Sequence, residues 1–154
     1  VPGDFDGDRV VDTTDIDLLT AALRAGSSNP MFDLDGDGDV DSDDLAIHIH
    51  DLVHTDQSYL DEISGTWMMT GTEFGDFNLD GAVSLLDLGI LGDNYDMLGG
   101  WASGDANGDA AATLLDLGVL GDSYGFDRVA SQIPEPATMS LFAIGGVAIL
   151  RRKK

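Results

Sequence analysis

The sequence predicts a small, mainly α protein: acidic loop–helix motifs in two tandem pairs, followed by a C-terminal hydrophobic helix. Three observations carry that expectation. Four twelve-residue acidic segments recur in matched register, and each runs into a short stretch with helix-period apolar residues. From Ile133 onward the composition turns abruptly apolar and then basic.

Composition bounds the reading. The chain has 154 residues, the size of one ordinary domain or two small ones. It carries 29 acidic residues against 7 basic ones, a formal charge of −22. All the acids are aspartate except Glu62, Glu73 and Glu135. Aspartate suits turns and ligand loops, where a solvated acidic helix would favour glutamate. The charge excludes nucleic acid as a partner, which needs lysine and arginine on the phosphates. The absence of cysteine removes disulfides, thiolate metal sites and thiol nucleophiles. With 20 glycines and few apolar helices, the core must be small and stapled by other means. The chain begins at Val1 with neither methionine nor a secretory signal, as expected of a mature or excised fragment.

The four segments are Asp4 to Asp15 (DFDGDRVVDTTD), Asp33 to Asp44 (DLDGDGDVDSDD), Asp76 to Asp87 (DFNLDGAVSLLD) and Asp105 to Asp116 (DANGDAAATLLD). The first and second are 29 residues apart, as are the third and fourth. Side-chain oxygens recur at positions 1, 3, 5, 9 and 12. They belong to Asp4, Asp6, Asp8, Asp12 and Asp15; to Asp33, Asp35, Asp37, Asp41 and Asp44; to Asp76, Asn78, Asp80, Ser84 and Asp87; and to Asp105, Asn107, Asp109, Thr113 and Asp116. Position 7 offers a backbone carbonyl from Val10, Asp39, Ala82 or Ala111. Six or seven hard oxygens around one centre suit Ca²⁺, whereas Mg²⁺ demands a tighter octahedron and transition metals prefer nitrogen or sulfur. The sequence therefore predicts up to four calcium sites. Four divalent ions add eight positive charges, bringing −22 to −14. Position 8 (Val11, Val40, Val83, Ala112) is expected to point inward, with paired loops bridged by a short β contact. Position 6 calls for a left-handed backbone. Gly38 and Gly81 supply it freely, while Arg9 and Ala110 should strain the turn. Loops three and four also carry fewer charged ligands, so the second site should be tightest and the fourth weakest.

A calcium loop ending in Asp at position 12 and followed by one helix resembles the EF-hand-like F-hand half-motif of dockerin type I repeats. The resemblance covers roughly residues 3–56 and 75–126, on stretches such as GDFDGDRVVDTTDIDLLTAAL and GDFNLDGAVSLLDLGILGDNY. It implies calcium-dependent folding and docking onto cohesin domains through loop positions 10 and 11. Those positions hold Thr13-Thr14 and Ser42-Asp43, then Leu85-Leu86 and Leu114-Leu115. The threonine pair is dockerin-like and the leucine pairs depart from the pattern.

After the loops, Ile16, Leu19 and Leu23 share one helical face, as do Leu45, Ile49, Leu52 and Val53. LLDLGILGDNY and LLDLGVLGDSY are near-copies with two glycines each, so their helices should be short, with the repeated Leu, Ile, Val and Tyr in the core. Residues 57–74 are read as a linker between a first pair (1–56) and a second pair (75–126), with Trp67 and Met68 packing the pairs together. His50 and His54, at i and i+4 on an expected helix, are similar to the zinc-hydrolase HExxH spacing with Asp51 as base. The polar-face reading is preferred, and no catalytic residue is assigned.

Residues 127–154 form the last segment. IPEPATMSLFAIGGVAILRRKK contains a Pro134-Glu135-Pro136 turn, an apolar run from Ala137 to Leu150 and a basic end at Arg151–Lys154. Fourteen helical residues reach about 21 Å, short of a ~30 Å hydrocarbon core, so a processing signal is more natural than a lone permanent span. The block resembles the PEP-CTERM sorting signal, which implies recognition by an exosortase in the inner membrane, membrane contact through the C-terminal helix and an exported or cell-surface location. The sequence thus describes a non-enzymatic, calcium-binding interaction module. The alternatives are a calcium-rigidified spacer without a cohesin partner and, least favoured, a zinc hydrolase through His50 and His54.

Overall fold

The computed structural model describes residues 1–129. The expected hydrophobic helix over Ala137–Leu150 and its basic end lie outside the described residues. No helix among the described residues is long and apolar enough to cross a membrane.

Four α-helices follow the four acidic loops: α1 (Thr13–Arg24), α2 (Ser42–Ile47), α3 (Leu85–Asp93) and α4 (Leu114–Ser123). Each starts where it does for the same reason. The loop's position 9 residue is the N-cap, and its side chain accepts the N–H two residues on: Asp12 from Thr14, Asp41 from Asp43, Ser84 from Leu86 and Thr113 from Leu115. The position 12 aspartate returns a bond to the N-cap N–H, completing a capping box. Such a cap contributes about 1 kcal/mol to each helix start.

The expected fold class is corrected here. The structure is not a mainly α array of calcium-loop motifs with a terminal helix. Four short helices share the described chain with a two-stranded antiparallel sheet, and most residues lie in loops. The physical reason is in the sequence: twelve-residue turns take up much of the chain, and α3 and α4 each hold two glycines and end after 9 and 10 residues. The sheet is formed by β1 (Tyr59–Asp61) and β2 (Thr66–Met68) inside the segment read as a linker.

Two further expectations shift. Paired loops do not bridge each other directly. Ala82 of the third loop pairs with Asp127 beyond α4, and Ala111 of the fourth pairs with Leu98 beyond α3. The helix expected to carry both histidines also ends early: α2 passes into a π-helical turn at His48–Leu52, and Val53 has extended ψ, leaving His54 outside.

One buried apolar cluster runs through both halves, from Val11, Ile16, Leu19, Val40, Leu45, Ile49 and Val53 to Phe77, Val83, Leu91, Trp101, Ala112 and Leu120. All four position 8 residues are in it, as their inward orientation predicts. The expected core role of the repeated tyrosines is not met, since Tyr95 and Tyr124 are exposed. Trp67 stays with the first half, its ring 4.0 Å from that of His54. The residue that joins the halves is Trp101. Its backbone N–H donates to Asp17 Oδ1 on α1 at 2.8 Å, and its indole Nε1–H donates to the Asp76 carbonyl at 2.8 Å. Arg24 of α1 donates to the carbonyl of Gly108 in the fourth loop, and Gln57 Nε2 to that of Asp80 in the third at 2.9 Å.

Candidate functional site

The four loops repeat one hydrogen-bond pattern. The position 1 carboxylate accepts the N–H of position 6: Asp4 from Arg9, Asp33 from Gly38, Asp76 from Gly81 and Asp105 from Ala110, at 2.8–3.1 Å. Position 3 accepts from position 5, and position 5 from position 7, each two residues on. Position 12 reaches across the loop to the N–H of position 2, as Asp15 does to Phe5, Asp44 to Leu34, Asp87 to Phe77 and Asp116 to Ala106. The residues expected to act together are therefore brought together in every loop.

The carboxylates face one another. Oxygens of Asp4, Asp6 and Asp8 lie within 4.8 Å of one another, as do those of Asp33, Asp35 and Asp37. Their partners are backbone N–H groups, and no loop carboxylate among the described residues is paired with lysine or arginine. Among the described residues, Arg24 and Arg128 donate to the carbonyls of Gly108 and Gly71, and Arg9, at position 6 of the first loop, forms no ion pair with its carboxylates. In the second loop the Asp37 carboxyl is held down by the Asp39 N–H, while that of Asp39 is pushed up by its hydrogen bond to Asp37 and by Asp37's charge. Like charges are thus held together by the backbone, with no lysine or arginine ion-paired to them among the described residues. That donor set fits Ca²⁺.

Position 6 has positive φ in all four loops: Arg9 (81°), Gly38 (106°), Gly81 (86°) and Ala110 (72°). The strain expected at Arg9 and Ala110 is therefore present, at about 1–2 kcal/mol for a side chain in that region. Position 4 is left-handed too, in Gly7, Gly36, Gly108 and Leu79 (54°), a requirement the sequence reading missed. The recurrent glycine there was the available signal. Only the second loop has glycine at both positions.

Burial separates the halves. Asp76 and Asp105 at position 1 are buried, whereas Asp4 and Asp33 are half-buried. Burial pushes the Asp76 carboxyl up to about 6 and raises that of Asp105 as well. Thr72 Oγ1 donates to Asp76 Oδ2, a partner outside the loop that no repeat pattern pointed to. Because the folded value for Asp76 lies above the unfolded 3.8, the folded calcium-free chain holds this proton more tightly. That stabilisation is complete below about pH 4 and is lost as pH rises through 6. Its full size is on the order of 3 kcal/mol. In calcium-free buffer the urea midpoint should therefore rise on acidification from pH 7 to pH 5; a midpoint that stays level or falls contradicts the assignment.

The two histidines of the rival zinc reading have separate partners. His50 Nε2 lies 2.9 Å from Glu73 Oε1, while His54 Nδ1 accepts the Val11 N–H at 3.2 Å. His48 is buried, with Nε2 donating to the Gly3 carbonyl at 2.9 Å, and burial lowers its pKa and that of His54.

Comparison with known proteins adds one assignment. No curated protein and no solved structure matches the chain. Residues 132–154 match the family model of the PEP-CTERM protein-sorting motif, so the sorting signal expected from Pro134-Glu135-Pro136 and its flanks is present, and the chain is that of an exported protein.

Proposed function

We propose that the protein is a calcium-binding, non-enzymatic module of an exported protein, with Ca²⁺ taken by the four acidic loops. The observation that carries this reading is the convergence of Asp4, Asp6 and Asp8, and of Asp33, Asp35 and Asp37, with no lysine or arginine ion-paired to them among the described residues. In each loop the residues at 1, 3, 5, 9 and 12 and the carbonyl at 7 would hold the ion. Ca²⁺, when bound, supplies the positive charge that the clustered carboxylates lack. The position 12 aspartate ties that site to the helix it caps, so loop order and helix start are one equilibrium.

The second loop combines the most carboxylates with two unstrained left-handed glycines, Gly36 and Gly38, and is the tightest site in this reading. The fourth has Ala110 in the left-handed region and Asn107 at position 3, and is the weakest. Calorimetric titration of Asp37→Ala and Asp109→Ala tests the order. The first variant should lose the high-affinity phase by at least tenfold, and the second should remove only a weak phase. A larger loss from Asp109→Ala contradicts the ranking.

The dockerin-like pattern supports a role in docking to a cohesin-like surface protein through the first turns of α1 and α2. The ties from Trp101 and Arg24 across the halves favour a second reading, a rigid spacer that holds an attached domain off the cell surface. Pull-down of surface proteins in calcium and in chelator separates them: a calcium-dependent partner supports docking, and its absence supports the spacer. The tail is the substrate of an exosortase-type enzyme in either case, with the membrane as the site of processing.

A further inference from the structure

We propose that the entry end of α3, carrying Leu85 and Leu86, is a membrane-contact surface that seats the folded protein on the bilayer bearing its sorting tail. The fold does not require leucine there. The equivalent positions after the first two loops are Thr13 and Thr14, and Ser42 and Asp43, in first turns closed by the same capping box. Leu85 is 70% exposed and Leu86 64%, so neither side chain is needed to fill the core.

The path of the chain says what covers them. Gly125 N–H donates to the Val83 carbonyl and Val83 N–H to that of Phe126, both at 2.9 Å. Arg128 N–H donates to the Gly81 carbonyl at 2.9 Å. The chain therefore leaves the described fold alongside the segment that leads into Leu85, with the half-exposed Tyr124 at the start of that exit. The sorting motif begins at residue 132, and the eight residue-to-residue steps from Val129 to Ala137 span at most about 28 Å. A tail engaged in the membrane keeps this end of the fold near the lipid surface. Leucines that enter the acyl boundary and a tyrosine at headgroup level suit that interface.

The chain has no cysteine, so single variants can be labelled at one place only. Full-length Leu86→Cys, Leu115→Cys and Thr14→Cys proteins, each carrying an environment-sensitive fluorophore, are mixed with phosphatidylethanolamine–phosphatidylglycerol vesicles. A several-fold rise in emission with a blue shift at position 86, and none at position 14, is the expected result. Position 86 lies inside the third loop, so vesicles are added at fixed calcium and the change is read against the same sample without vesicles. No change at 86, equal changes at 86 and 14, or a change at 115 in place of 86 overturns the proposal. So does a rise at 86 that needs no vesicles and grows with protein concentration, which identifies a second copy as the occupant.

Discussion

Replacing Trp101 with alanine is expected to cost about 4 kcal/mol of stability. The indole is 1% exposed and lies among Phe74 and Phe77, with ring centroids 6.1 and 5.8 Å away. Truncating a buried tryptophan costs about 3–5 kcal/mol from lost transfer energy and the cavity left behind. Loss of the indole N–H also strips the buried Asp76 carbonyl of its donor. The backbone N–H to Asp17 on α1 survives the substitution, so the loss is confined to the packing of the ring and to the Asp76 carbonyl. Against a total stability of about 5–15 kcal/mol, that is a large fraction. Urea unfolding followed by far-UV circular dichroism reads it. A Trp101→Ala stability within 1 kcal/mol of the parent contradicts this account of the core.

The second large effect is expected at Asp87. Its carboxylate is fully buried and accepts from Phe77 N–H at 2.9 Å and from Ser84 N–H and Oγ–H at 2.9 and 3.3 Å. Asp87→Ala leaves these donors unsatisfied at about 1–3 kcal/mol for a buried group, and removes half of the α3 capping box. The expected loss is about 3–4 kcal/mol in chelator, and it should be larger in calcium, where a ligand is lost as well. Asn78→Ala is the informative contrast. Asn78 is exposed and its partners are confined to Asp80, so in chelator this variant should behave like the parent. In calcium it should lose stability through weaker binding at the third loop. Equal behaviour of the two variants in chelator would contradict the double role given to position 12.

Much of the local structure was legible because the loops repeat. Matched aspartates at positions 1, 5 and 12, with Asp or Asn at position 3, fixed the four turns, and the inward position 8 residues Val11, Val40, Val83 and Ala112 are all in the core. The helix starts were legible for the same reason, since the cap is part of the loop. What escaped depends on contacts distant in sequence. The role of Trp101 arises from residues 84 positions away in Asp17 and 25 away in Asp76, which no local periodicity encodes. The hairpin at β1 and β2 was read as linker because its strands are three residues each. The helix expected to align His50 and His54 fails at a π-helical turn, because His48 is drawn into the core by Gly3 and Phe5. Helical content was overestimated because loop and glycine together leave each helix little length. The exposed leucine pairs had been counted with the core because their spacing matches their buried neighbours Leu91 and Leu120.

The most direct test of calcium as the missing counter-charge is a Ca²⁺ titration of the chelator-treated protein followed by far-UV circular dichroism. The account predicts that helicity rises with added Ca²⁺, saturates as the loops fill and falls again when chelator is restored. Helicity that is unchanged by calcium and by chelator would contradict it.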